Sequence, residues 1–344
     1  FTQIGQQFKI NTEHINIPCW DIDINSNKGL DSLFKKIVSE GITSLVIQFN
    51  YGFFNLDEFS KLLEKLNNNH INIIIFFHST QDPKHSNKKL FSISKYLKFC
   101  KRLLVHSIDD LNRLKEIGLV ENVSLFPHGF HDFSDHIRKK SNPILSRYFY
   151  KSVVKRIATY GFCLPNKGFD KLILAIKLLR DMKANVSLTI YSAIYSEEYR
   201  YIFDELIAMT HELGVEDLVS INGQYMTDQD TLSNLSLHDL IVFPYQETSE
   251  SSSASVRYGI ASLRPVLVTP SPIFNDCADY LHFLRGFTPE EIAEGIYEWL
   301  YDDINSLEVY KNSLHTRISN IKELSFSRLA KRLLNMIESL EINK

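Results

Sequence analysis

Short continuous apolar runs alternate along this chain with longer stretches whose apolar residues recur every three or four positions. The first kind marks a strand buried on both faces, the second an amphipathic helix. In the first half, strands are predicted at Leu45–Phe49, Ile73–Phe77, Leu103–Val105 and Val123–Phe126. Helices are predicted at Leu30–Val38, Phe54–Leu66, Leu90–Phe99 and Ile108–Ile117, with Gly41 and Gly118 as stops. Ile73–Phe77 is the clearest strand, because all five residues are apolar and three are β-branched. A short strand at Ile15–Ile17 sits in an otherwise unpatterned start. In the second half, strands are predicted at Ile157–Tyr160, Val186–Tyr191, Leu218–Ile221, Leu240–Phe243 and Val266–Val268. Helices are predicted at Gly168–Met182, Glu197–Leu213 and Asp228–Leu235. Another enters through the small residues Ser251–Ser255 and stops at Pro265. Three more follow at Pro289–Tyr301, Leu307–Leu324 and Phe326–Ile342.

Strands that alternate with helices imply parallel βαβ units. Between His131 and Ser152 the apolar period fails, and Asn142-Pro143 and charged residues take over, as in a connection. The chain is therefore expected to form two doubly wound α/β domains, 1–145 and 152–325, with a cleft between them. Residues 326–344 form a final helix expected to pack back across that cleft. A length of 344 residues suits two domains.

Composition narrows the function classes. With 44% hydrophobic and 23% charged residues the chain can bury large cores. A net charge of −3 gives no support for a nucleic-acid partner. Cys19, Cys100, Cys163 and Cys277 are far apart and read as reduced thiols. No apolar run is long enough to span a bilayer. The chain opens on Phe1 rather than Met, as expected of a piece of a longer polypeptide.

Candidate chemistry gathers where strands end. Lys167-Gly168 follows the strand Ile157–Tyr160, where an ammonium and the amides of a helix start suit a phosphate. There is no GxxxxGK[ST] or GxGxxG sequence, so nucleotide hydrolysis and nicotinamide chemistry lose their main signal. Glu247 and Glu250 follow Leu240–Phe243, where a carboxylate can accept hydrogen bonds from sugar hydroxyls. Ser252, Ser253 and Ala254 allow close approach of an anion to the next helix, and Arg257 lies one turn further on. His78 ends the strand Ile73–Phe77, and Gln48, Asn50 and Tyr51 end the strand before it. His128 is read as a hinge or packing residue, and Asp109-Asp110 as carboxylates favoured by a helix start. Asp21 and Asp23 have a DxD form but lie in the unpatterned start, and no convincing metal set is found.

Taken in order, these segments resemble the retaining nucleotide-sugar glycosyltransferases of family 4, over roughly Leu45 to Leu340. The resemblance rests on Lys167-Gly168, on Ile221-Asn222-Gly223, and on His238-Asp239 before Leu240–Phe243 and Pro244. It rests also on Glu250, Ser253 and Pro265-Val266, and on Val105-His106-Ser107, Pro127-His128-Gly129 and His78 in the first half. Each motif is weak alone, and their order is specific. The resemblance implies a GT-B fold, two facing Rossmann-like domains with an interdomain cleft. It implies His78 and Glu250 as catalytic residues, and Lys167, Ser252, Ser253, Ala254 and Arg257 as donor-diphosphate ligands. Further cleft candidates are Gln48, Asn50, Tyr51, Glu247 and Tyr258.

The implied activity is transfer of a sugar from a nucleotide-diphosphate sugar, GDP-mannose, to a glycan or lipid-linked glycan in surface-polysaccharide synthesis. No cofactor and no metal are expected beyond that co-substrate. The implied location is cytoplasmic or peripheral at the inner membrane face, with other domains of a longer polypeptide as partners. Three departures stand out. Phe162 replaces the family's Arg, and Tyr258 replaces a second Glu expected eight positions after Glu250 to hold the ribose. The family's first strand and Gly-rich loop are not recognised. These departures motivate a second expectation, a non-catalytic module of the same fold that binds glycan or docks an enzyme. A sugar-nucleotide epimerase of this fold is a third.

Overall fold

The computed structural model describes residues 29–84, 87–132, 154–248, 250–302 and 304–342. The expected strand Ile15–Ile17, Cys19, Asp21, Asp23 and most of the connecting segment lie outside the described residues. The described residues form two units, one of 29–129, 250–252 and 326–342, the other of 130–248 and 253–325.

The first unit carries β1 (Ser44–Phe49), β2 (Asn72–Phe77), β3 (Arg102–Val105) and β4 (Val123–Leu125), with α1 (Gly29–Ser39), α2 (Leu56–Asn68), α3 (Leu90–Leu97) and α4 (Ile108–Glu116). The strands form one parallel sheet in the order β1-β2-β3-β4. All six residues of β2 are buried, as its apolar run requires of a central strand. Residues of α2 and α3 pack on one side with Phe49, Ile73, Ile75 and Phe77. Side chains of opposite parity, Ile74, Phe76 and Leu104, pack with Leu329, Ala330 and Leu333 of the last helix, Phe326–Ile342. That alternation is the period-2 geometry of a strand covered on both faces. Thr43 and Ser44 hydroxyls also donate to Glu341 near the end of the same helix.

The second unit holds β5 (Lys155–Tyr160), β6 (Val186–Tyr191), β7 (Val219–Asn222), β8 (Leu240–Phe243), β9 (Val266–Val268) and β10 (His282–Phe283). They form one parallel sheet in the order β10-β9-β8-β5-β6-β7. The helices are α5 (Phe169–Asp181), α6 (Arg200–Glu212), α7 (Asp228–Leu235), α8 (Ala254–Ala261), α9 (Pro289–Tyr297) and α10 (Ile304–Glu323). Helix α8 ends at Ala261, and Leu263, with a left-handed backbone, turns the chain two residues before Pro265. Strand β10 was not foreseen, since two residues carry no readable period.

From β5 the chain proceeds outward to β6 and β7, and then returns to place β8 on the other side of β5. Parallel sheets bind ligands outside the C-terminal ends of strands where the order reverses in this way. Two loops leave the sheet there, and their backbones touch. Gly168 has a left-handed φ of +71°, and a Cβ on it would overlap the carbonyl of Pro244 at the end of β8. Gln246 N–H donates to Asn166 O at 2.8 Å beside this contact. Replacing Gly168 by Ala combines a clash with a strained backbone, so a loss of at least ~2 kcal/mol in urea denaturation is expected. A stability within 0.5 kcal/mol of wild type, roughly the range of ordinary surface changes, would show that the two loops do not meet as described.

Candidate functional site

In the second unit the site is built at the ends of β5 and β8. The Lys167 ammonium lies 4.1 Å from the centre of the Tyr245 ring. Tyr245 is fully buried, which fixes that ring as a floor beneath the ammonium. Ser253 is the N-cap of α8: its hydroxyl accepts from Val256 N–H at 3.2 Å and donates to Tyr245 Oη at 3.4 Å. The first amides of α8 have no carbonyl one turn earlier in the helix, so they suit an anion. Ala254 is exposed and Ser255 half-buried at this start. Gly161, at the end of β5, lies against Ser255 and Tyr245, where a Cβ would stand 3.2 Å from Ser255 Oγ. Glu247 lies exposed in the loop after β8.

Arg257, expected among the diphosphate ligands, is committed elsewhere. Its guanidinium is 3% exposed, donates to Ser253 O at 2.6 Å and pairs with Asp276. Burial raises the Asp276 carboxyl, and Arg257 opposes that shift. The pair thus clamps the start of α8 from behind. No local signal links Arg257 to Asp276, since they lie on separate elements.

Tyr258 donates to Asp228 Oδ1 at 2.6 Å, and its ring packs against Tyr160 and His131 at 5.0 and 4.8 Å. A carboxylate therefore does lie beside this position, supplied by the first turn of α7 rather than by α8. Phe162 is exposed and meets Tyr195 edge-on at 5.3 Å.

In the first unit the ends of β1 and β2 bring Gln48 and His78 together. His78 Nε2–H donates to Gln48 Oε1 at 2.6 Å, which leaves Nδ1 as the acceptor nitrogen. Among the described residues the buried Gln48 Nε2 has no hydrogen-bond partner. Burial lowers His78 to about 4, so the ring is neutral at pH 7. His106 and His128 continue the row of rings, at 5.7 Å from His78 to His106 and 5.1 Å from His106 to His128. Asn50 and Tyr51 shape the neighbouring loop. Asn50 accepts from Gly52 N–H at 2.9 Å, and buried Tyr51 donates to Asp82 at 2.7 Å.

Residues 250–252 also belong to this unit. Glu250 is exposed, Ser251 is buried and Ser252 is half-buried. Ser251 N–H donates to His78 O at 3.3 Å, so Glu250 and His78 are one residue from a shared backbone bond. Ser251 Oγ donates to Asp110, which is a fully buried carboxylate and not only a charge favoured by a helix start. The spacing of Ser107, Asp110 and Arg113 on one helix start was the available signal.

Among the described residues no group of three His, Cys, Asp or Glu side chains is arranged to hold a metal. None of their helices is long and apolar enough to cross a membrane. Cys100, Cys163 and Cys277 are buried free thiols, and burial pushes Cys277 up to about 12.

No protein-family model and no curated protein sequence matches the chain. Solved structures do. A glycosyltransferase from Rickettsia africae superposes with a TM-score of 0.71 at 14% identity, over 98% of this chain and 88% of its own. HepE from Anabaena, solved with UDP and glucose, gives 0.68 at 14% identity over 96% and 89%. A UDP-forming α,α-trehalose-phosphate synthase from Burkholderia xenovorans gives 0.68 at 10% identity over 90% and 76%. The fold is that of GT-B glycosyltransferases, with two Rossmann-like α/β units.

The neutral state of His78 has a measurable consequence. Between pH 6.5 and about 4 the unfolded chain takes up a proton that the folded ring refuses. This lowers stability as pH falls through that window and has no effect above it. His78→Gln removes the effect, so its stability should fall about 2 kcal/mol less than wild type from pH 7 to 4.5. Parallel pH dependences would mean that His78 is not held neutral by the fold.

Proposed function

We propose that this protein is a glycosyltransferase that moves a hexosyl group from a nucleoside-diphosphate sugar to a glycan acceptor with retention of configuration. The observation that carries the reading is the loop pair at the end of β5 and β8. There Gly168 and Pro244 meet, Lys167 stands over Tyr245, and α8 begins. A cation and the first amides of a helix suit a diphosphate, and both become more favourable as it gains charge on leaving.

In this proposal Lys167 and the amides at Ser253 and Ala254 hold the diphosphate, with Ser252 beside them in the chain. Arg257 supports that turn through Ser253 O and Asp276. Glu250 accepts hydrogen bonds from donor hydroxyls. His78 and Gln48 meet the sugar, with Gln48 Nε2 and His78 Nδ1 as the donor and acceptor not used between them. The bond from C1 to the leaving oxygen breaks, the acceptor oxygen bonds C1 on the same face, and its proton passes to the departing diphosphate. No metal is assigned a role.

GDP-mannose follows from the sequence resemblance. UDP-glucose is the alternative donor, since Anabaena HepE was solved with it. The acceptor proposed is a glycan or lipid-linked glycan of surface-polysaccharide synthesis, at the cytoplasmic side of a membrane. A non-catalytic binding module is the second reading, favoured by Phe162 and Tyr258 in place of charged residues.

A thermal-shift screen with UDP, GDP, UDP-glucose and GDP-mannose separates the two. Stabilisation of about 2.7 kcal/mol is expected at a hundredfold excess over Kd for one nucleotide series, and no response to any would favour the second reading. Glu250→Ala should cut turnover at least tenfold, about 1.4 kcal/mol of barrier, with folding intact. Lys167→Ala should weaken nucleoside-diphosphate binding and leave free-sugar binding unchanged. Wild-type values for either variant would remove that residue from the site.

A further inference from the structure

Asp110 is 0% exposed, and four donors converge on it. Oδ2 accepts from Ser107 Oγ at 2.5 Å. Oδ1 accepts from Thr80 Oγ1 at 2.5 Å, Arg113 Nη1 at 2.9 Å and Ser251 Oγ at 2.9 Å. The same Arg113 nitrogen also donates to Thr80 Oγ1 at 2.6 Å. Ser107 and Arg113 are three residues from Asp110, at the cap and on α4, and Thr80 is 30 residues away on the loop after β2. Ser251 is 141 residues away, next to Glu250. Thr80 lies two residues after His78, and Ser251 N–H donates to His78 O at 3.3 Å. The segment with Glu250 is therefore held at two points. One is a backbone bond to His78, the other a charge-assisted bond to a buried carboxylate.

We propose that Asp110 is a positioning residue for sugar recognition, acting through Ser251 to fix Glu250 beside the loop that carries His78. The inference rests on the proposed role of Glu250 at the donor sugar. Burying a carboxylate is costly unless it is fully hydrogen-bonded. Ser251 contributes a bond to that carboxylate without which α4 retains its cap and its Arg113 partner. A buried charge that accepts from a distant loop residue gives the loop one strongly preferred position. Pre-organisation of this kind acts on the geometry of a polar contact more than on the binding of the rest of a ligand.

The test uses Ser251→Ala, which removes one hydroxyl and leaves Asp110 its three other donors, where Asp110→Asn risks the fold. Calorimetry on the full chain compares UDP-glucose with UDP, and GDP-mannose with GDP, and takes the series that binds. The readout is the affinity ratio of sugar-linked to free diphosphate. Ser251→Ala is expected to reduce that ratio at least fivefold while changing affinity for the free diphosphate less than twofold. Ser251→Thr, which keeps the hydroxyl, is expected to retain it. A merely structural bond would lower the melting temperature and leave the ratio unchanged. If Ser251→Ala keeps the wild-type ratio while Glu250→Ala loses it, the positioning role is wrong and the site reading stands. If Ser251→Ala weakens both ligands equally, the effect is not on sugar recognition and the role is wrong. If Glu250→Ala also leaves the ratio unchanged, or no nucleotide binds, the site reading fails and this inference with it.

Discussion

Between Gly168 and the carbonyl of Pro244 there is no room for a side chain. That contact ties the loop after β5 to the loop after β8, the two strands between which the sheet order reverses. It fixes where Lys167 stands and, through buried Tyr245, where Ser253 begins α8. The Arg257–Asp276 pair supports the same turn from inside the unit. Each element is ordinary by itself. Together they hold a cation and the start of a helix on one side of a parallel sheet, the place where an anion is best received.

The first unit meets a different demand. Its strand ends bring together His78, kept neutral by burial, and Gln48, which is bonded to it, with the rings of His106 and His128 following in a row. Its fully buried charge, Asp110, is turned inward and used to hold chain. Neutral donors and acceptors suit hydroxyl-rich ligands, whereas the cationic turn of the second unit suits a diphosphate.

Much of this was legible in the sequence. Strands β6, β8 and β9 fall on the residues where their patterns put them, because continuous or alternating apolar runs leave few other solutions. The positions of His78, directly after β2, and of Lys167, in the loop that leaves β5, were readable because those strands are. What was not legible depended on pairing across sequence. Arg257 reads as a phosphate ligand until Asp276 is seen against it. Asp110 reads as a helix-start charge until Ser251 is seen on it. Tyr258 reads as the loss of a carboxylate, although Asp228 brings one to its hydroxyl from another helix. Such partnerships are set by tertiary packing and carry no local period.

The turn between β5, β8 and α8 is proposed to receive a nucleoside diphosphate. The most direct measurement is a crystal structure of the full chain with the nucleoside diphosphate that stabilises it. The diphosphate is expected within hydrogen-bond reach of Lys167 Nζ and of the first amides of α8. A diphosphate bound away from both, with Lys167 still resting on Tyr245, would contradict it.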